Sequence, residues 1–209
     1  MQRSLTQGPI TRGILLFALP LILGNLLQQM YNIADTWVVG RFLGADALAA
    51  VGSSYTLMTF LTSILLGLCM GSGAAISMQY GSGDHDRMRQ SVFLSFTLIA
   101  GISLVLNVLV YLGLGGILWV LRVPDELKPL MKDYLVVIFL GITATFLYNY
   151  FANVLRAIGN SVVPLVFLAV SSVLNVALDL LCVLVLGWGV KGAAGATVFS
   201  QFVSGIGIG

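Results

Sequence analysis

Two aspartates lie inside long apolar runs of this 209-residue chain. Asp35 follows the charge-free residues 13–34, and Asp179 follows the charge-free residues 157–178. A carboxylate within an apolar helix costs at least about 2.5–3.5 kcal/mol in lipid, so such residues face an interior and usually serve transport. If the two carboxyls share a poorly hydrated interior, they cannot both stay ionised cheaply, and at least one is expected to take up a proton or another cation. The alternative is a pair of structural carboxyls, each satisfied by neighbouring Ser, Asn or Tyr side chains.

Each acid belongs to a row of polar side chains at helical spacing. Such rows lie on one face of a helix. Their side chains either form interhelical hydrogen bonds, worth about 0.6 kcal/mol each, or line the wall of a hydrated cavity. The presence of three such rows on three helices favours the cavity. The rows are Asn25, Gln28, Gln29, Asn32, Asp35 and Thr36, with Tyr31 on the same face; Thr145, Asn149, Asn153 and Arg156; and Ser171, Asn175 and Asp179.

Composition identifies the elements that must position these residues. The chain is 58% hydrophobic and only 9% charged, which is too little charge to cover a water-facing surface. The low charge therefore excludes a soluble globular domain, and the high apolar content excludes a disordered chain. Because a helix needs about 20 apolar residues to cross lipid, the sequence predicts an all-α, six-helix membrane bundle. The helices are expected near 13–38, 48–78, 91–112, 132–155, 162–186 and 192–209.

The connections between these helices are short, and the third one is expected over 113–131. Charge does not orient the bundle. With the N-terminus inside, each side of the membrane receives five Lys or Arg residues, so the positive-inside rule gives no answer.

Pro20 lies in the middle of the first helix. Proline removes one backbone hydrogen bond and bends a helix. The sequence leaves open whether the bend is static or is a hinge between the two ends of this helix.

Other chemistries find little support in the residues. Cys69, Cys182 and His85 form no metal or redox cluster, and no nucleotide-binding motif is present, so neither an enzyme nor a cofactor is expected. The net charge of +2 predicts no nucleic-acid partner. A remote alternative is an intramembrane aspartyl protease, because Gly81-Ser82-Gly83-Asp84 matches its G-x-G-D motif. Asp84 lies in a charged turn, however, and a protease dyad needs both acids at one depth.

Several segments resemble the multidrug and toxic compound extrusion (MATE) transporters. The resemblance covers essentially the whole chain, and the order and spacing of the segments make it specific. The similar segments are 26–40 (LLQQMYNIADTWVVG), 43–52 (LGADALAAVG), 156–160 (RAIGN) followed by Pro164, 173–179 (VLNVALD) and 189–194 (GVKGAA).

The resemblance implies twelve helices in two six-helix lobes, a cytoplasmic N-terminus and a chain that holds only the N-terminal lobe, with the C-terminal lobe as its partner. It implies that Asp35, Asn175, Asp179 and Thr197 form the Na⁺ or H⁺ coupling site. Tyr31 matches a tyrosine beside the first acid, and Pro20 matches a bending proline. The substrate cavity is expected to include Tyr31, Gln28, Asn149 and Asn153.

The function that follows is an antiporter of the cell (plasma or inner) membrane. It would export organic, often cationic, small molecules by alternating access, driven by H⁺ or Na⁺. A flippase for lipid-linked saccharides is the nearest alternative, but it would need a basic cavity, and the deep groups here are acidic. A purely structural membrane subunit would not need paired acids.

Overall fold

A computed structural model defines residues 10–120 and 122–209. Within them the chain forms seven α-helices and one π-helical turn, which confirms the all-α expectation. The α-helices are α1 (Ile10–Phe42), α2 (Ala45–Gly81), α3 (His85–Val120), α4 (Lys128–Leu140), α5 (Ile142–Ala157), α6 (Val162–Leu180) and α7 (Gly189–Ile208).

The helices run past most of the predicted ends because charged and polar residues are tolerated once a helix leaves the hydrocarbon. The difference is largest for α3. Its 36 residues correspond to about 54 Å of helix, and it ends at Val120 rather than at residue 112. The connection predicted over 113–131 therefore shrinks to the few residues before α4 begins at Lys128.

The fourth predicted helix, 132–155, is broken in two. The segments α4 and α5 meet at Gly141 with a bend of 41°. Gly141 lies against α7, where a Cβ atom on it would come within 2.6 Å of a Val198 methyl group. Close approach of a neighbouring helix thus accounts for the glycine at the bend.

The fifth predicted helix, 162–186, ends in a different geometry. After α6 the chain makes a π-helical turn over Leu181–Val185, in which the Leu186 amide donates to the Leu181 carbonyl at 3.0 Å. Turns of this kind are rare and are often found beside functional groups. Here the turn begins two residues after Asp179.

In the described part of the chain, four helices are long and apolar enough to cross a membrane, and the bent pair of α4 and α5 makes a fifth candidate. The helix α7 is not among them, because Lys191, Gln201 and several glycine, serine and threonine residues lower its mean hydropathy. It packs instead along α4, α5 and α6, and its Ala193 and Ala194 are fully buried.

Successive spans alternate in direction, which defines two ends of the bundle. The α1–α2, α3–α4 and α6–α7 connections lie at one end, called here the first end; the α2–α3 and α5–α6 connections lie at the opposite end. An aromatic cluster of Phe96, Phe146, Tyr150 and Phe151 joins α3 to α5 in the core. Many large apolar side chains point outward, as expected for helices surrounded by lipid.

Candidate functional site

One cavity of about 1100 Å³ opens beside α1. Every member of the polar row on α1, from Asn25 to Thr36, lines it, together with Tyr31. The opposite walls come from α2, α4, α5, α6 and α7. The amphipathic pattern of α1 therefore places its polar face toward other helices of the bundle.

Asp35 of α1 and Asp179 of α6 are direct neighbours across the site. Asp179 is fully buried, and Asp35 lines the cavity. The Asp35 Oδ1 atom and both carboxylate oxygens of Asp179 are enclosed and receive no hydrogen bond from the described residues. Carboxylate oxygens are acceptors only, so two facing carboxylates make no bond until a proton or a cation lies between them.

Asn175 and Thr197 extend this pair. The Asn175 amide nitrogen donates to the Thr197 hydroxyl at 3.2 Å, and that hydroxyl donates to the Ala193 carbonyl at 3.2 Å. The Asn175 Oδ1 atom is a further buried acceptor without a donor among the described residues. Asn175 precedes Asp179 by one helical turn, so both face the same side of α6.

The resulting group, called here the acid cluster, consists of Asp35, Asn175, Asp179 and Thr197. It holds four enclosed oxygen acceptors that lack a donor in the part of the chain described. Oxygen ligands suit hard cations and protons. Within the described residues no group of three or more His, Cys, Asp or Glu could hold a metal ion, so a cation here would meet at most two carboxylates.

Three of the four expected substrate-cavity residues line the cavity: Gln28, Tyr31 and Asn149. Asn153 is not among the lining residues. Its amide donates to the Asn149 carbonyl at 2.8 Å, and its Cβ lies close to Gly73 of α2. One turn beyond Asn149, the Asn153 side chain therefore packs against α2 and does not line the cavity.

Pro20 lies within α1, on the side of the cavity toward the N-terminus, and is not a lining residue. It is separated from Asp35 by fifteen residues, about 22 Å of helix. Asp84, the acid of the G-x-G-D motif, lies in the α2–α3 turn, where it forms an ion pair with Arg87 at 3.2 Å. It is therefore separate from the acid cluster.

Several cavity residues were not anticipated as part of a site. Tyr134 of α4 is nearly buried and lies within electrostatic range of both acids. Gln201 of α7 lies beside the Tyr31 hydroxyl and accepts a hydrogen bond from Thr145. Gln201 follows Thr197 by four residues, a spacing that could have revealed it. No comparable pattern marks Tyr134.

Arg156 also lines the cavity. The sequence places it in the polar row of α5 and in the connection to α6, without a role in a site. Its side chain is half-buried, and its Nε atom is enclosed without a hydrogen-bond partner among the described residues.

Apolar spans around a polar cavity with buried acids define a multi-pass helical membrane protein of the transporter class. A protein-family model described as MatE matches residues 20–181 of the chain. The chain therefore belongs to the MATE transporter family. Members of this family are transporters rather than enzymes.

Individual relatives agree with this assignment. The chain is 35% identical to a "Probable multidrug resistance protein YpnP" of Bacillus subtilis, over 95% of this chain and 45% of the relative. It is 26% identical to an "FAD transporter" of Shewanella oneidensis, over 97% of this chain and 46% of the relative. A solved structure described as "Crystal structure of MATE in the bent conformation" superposes with a TM-score of 0.90 at 26% identity, covering 96% of this chain and 45% of that one. The chain thus spans about half the length of the relatives it matches.

Proposed function

We propose that this chain is the N-terminal lobe of a cation-coupled antiporter that exports organic, often cationic, small molecules by alternating access. The observation that carries the proposal is the acid cluster, whose enclosed oxygen acceptors lack donors among the described residues and lie beside the large cavity. Membership of the MATE family and relatives named for multidrug resistance support it.

The coupling step rests on electrostatics. Two neighbouring carboxylates in a poorly hydrated site repel each other, and a proton or Na⁺ bound between Asp35 and Asp179 removes that repulsion. Asn175 and Thr197 would contribute neutral oxygen ligands. The cation and an organic cation then compete for the same negative charge, and this competition couples the two fluxes.

The conformational step is assigned to α1. When the acids are neutralised, the wall formed by α1 is free to approach α6, and Pro20 supplies the weak point at which the helix bends. The cavity then shrinks and the organic cation leaves. Gln28, Tyr31 and Asn149 serve as the polar contacts for the substrate. Asn153 has at most an indirect role, through the contact between α5 and α2.

The same proposal places the protein in the cell membrane with its N-terminus in the cytoplasm. The first end of the bundle would then face outward, and the opposite end, with Arg87 and Arg89, would face the cytoplasm. This orientation follows from the family resemblance, because lysines and arginines divide equally between the two sides of the membrane.

The test is efflux of the fluorescent cation rhodamine 123 from cells that express the complete gene product. Proton and Na⁺ gradients are varied separately. Asp179→Asn preserves the shape of the side chain but removes its titrating charge, so coupled efflux should fall to the background of cells without the protein. Asp125→Asn, in an exposed turn, is the matched control and should retain full efflux.

Membrane abundance of each variant is measured on the same samples, so that a folding defect is recognised. An Asp179→Asn protein that is present at normal levels and still exports the dye at the normal rate would contradict the coupling role.

A further inference from the structure

We propose that Arg156 forms a subsite for an anionic group, a carboxylate or a phosphate, of the molecule that occupies the cavity. The inference rests on the proposed function, because it adds a second charge requirement to the same cavity. A preferred ligand would then carry a cationic end toward the acid cluster and an anionic end toward Arg156.

The first argument is the position of the guanidinium group. Arg156 lies in the last turn of α5, yet it lines the same cavity as Asp35. Side chains on a helix lean toward its N-terminus, so a long arginine at this position extends back along α5 toward the cavity. The hydroxyl of Tyr148, two turns earlier on α5, lies within electrostatic range of Arg156.

The second argument is the absence of an acidic partner. The described residues form three ion pairs, and Arg156 takes part in none of them. Residues 1–9 contain neither aspartate nor glutamate, so that segment brings no carboxylate either. The enclosed Nε atom has lost hydration that no contact among the described residues replaces, whereas a planar carboxylate or phosphate matches the guanidinium donors well.

The third argument is the distribution of charge. Tyr148 lies near both Arg156 and Tyr31, and Tyr31 is one turn from Asp35. The positive and negative groups are therefore separated by polar, hydrogen-bonding side chains and are not in contact with each other. Arg41 also lines the cavity, but it is exposed in the last turn of α1 at the first end, where water satisfies it.

The experiment uses two dyes with the same cationic ring system. Rhodamine 110 carries a free carboxylate, and rhodamine 123 is its methyl ester. Their dissociation constants are measured by fluorescence anisotropy on the complete gene product, purified in detergent. The quantity of interest is the affinity for the acid divided by the affinity for the ester, because this ratio isolates the carboxylate.

In the wild type the ratio should favour the acid, and in Arg156→Gln the preference should fall by about tenfold, as expected for loss of one charge-assisted hydrogen bond. Arg156→Lys keeps the positive charge but loses the planar guanidinium group and its paired donors, so it should retain part of the preference for the acid. Loss of stability alone would lower binding of both dyes together and leave the ratio unchanged.

Asp35→Asn separates this inference from the proposed function. It should weaken binding of both dyes and leave their ratio intact. A carboxylate preference that disappears in Arg156→Gln supports the subsite even when Asp35→Asn has no effect, a result that would count only against the coupling role. Equal ratios in the wild type and in Arg156→Gln, or no binding of either dye to the wild type, would overturn the subsite.

Discussion

The side-chain amide of Asn107 on α3 donates a 2.7 Å hydrogen bond to the backbone carbonyl of Phe139 on α4. Phe139 lies two residues before Gly141, where the fourth span bends. A bend disturbs the regular backbone ladder, and a carbonyl in an apolar surrounding needs another donor when this happens. The neighbouring Tyr111 hydroxyl bonds to the Val136 carbonyl at 2.6 Å. Two side chains of α3 thus hold the segment that leads into the bend.

Replacing Asn107 by leucine should therefore destabilise the protein by about 0.6–1.7 kcal/mol, the range of interhelical hydrogen bonds in a membrane protein. Thermal unfolding in detergent would measure the effect. Thr97→Val is the control on the same helix, since the Thr97 hydroxyl bonds only to its own helix, at the Phe93 carbonyl. Equal melting temperatures for Asn107→Leu and wild type would show that the bend does not depend on this bond.

Gly141→Ala should destabilise the protein more than Asn107→Leu does. The added Cβ would come within 2.6 Å of a Val198 methyl group and 2.9 Å of the Ile138 carbonyl oxygen, so α7 or the bend must shift. Overpacking of this kind costs about 1–3 kcal/mol. Gly115→Ala, where a Cβ meets nothing within 4 Å, should be nearly neutral in the same unfolding assay.

A second substitution distinguishes the two clashes at Gly141. If the Val198 side chain is the main obstacle, Val198→Ala in the Gly141→Ala background should restore most of the lost stability. A double variant as unstable as Gly141→Ala alone would assign the cost to the backbone of the bend.

The sequence was sufficient to predict the class of fold and the polar face of α1. Long charge-free runs predict membrane helices regardless of how those helices pack, and a row of polar residues at steps of three and four must share a face. The two buried acids were recognisable for a similar reason, because an aspartate isolated in an apolar run is too costly to face lipid and must turn toward a polar interior.

Tertiary context decided what the sequence left open. The glycine at the bend accommodates the close approach of Val198 from α7, and no local pattern in the sequence contains that contact. Asn153 continues the polar row of α5 but packs against Gly73 of α2, although Asn149 before it and Arg156 after it both line the cavity. Tyr134 lies near the acids through the packing of α4 against the other helices, and no polar row on α4 marks it in the sequence.

Close packing of α7 against α5 gives a prediction at Gly205. A Cβ there would lie 3.1–3.3 Å from Leu147, Tyr148 and the Ala144 carbonyl, and two of these contacts are with backbone atoms that cannot easily move. Gly205→Leu should therefore separate the two helices and lower the yield of folded protein in detergent. Gly195→Leu, on the same helix where a Cβ meets nothing within 4 Å, is the matched control. Equal yields would show that α7 tolerates bulk on its α5-facing side.

The last prediction concerns the 209-residue chain by itself, which is expected not to transport. It spans about 45% of its relatives' length, and its cavity is lined here by residues of this chain only. Alternating access needs a second body against which this lobe moves, and the open side of the cavity exposes polar side chains such as Thr59 and Thr62 that a partner lobe would cover. The 209-residue chain is reconstituted into liposomes, and rhodamine 123 uptake is followed under imposed H⁺ and Na⁺ gradients. The flux should be no greater than that of empty liposomes. The complete gene product, treated identically, should give gradient-dependent flux. Gradient-driven uptake by the 209-residue chain would show that this lobe, alone or as a self-associated pair, supplies both walls of the pathway.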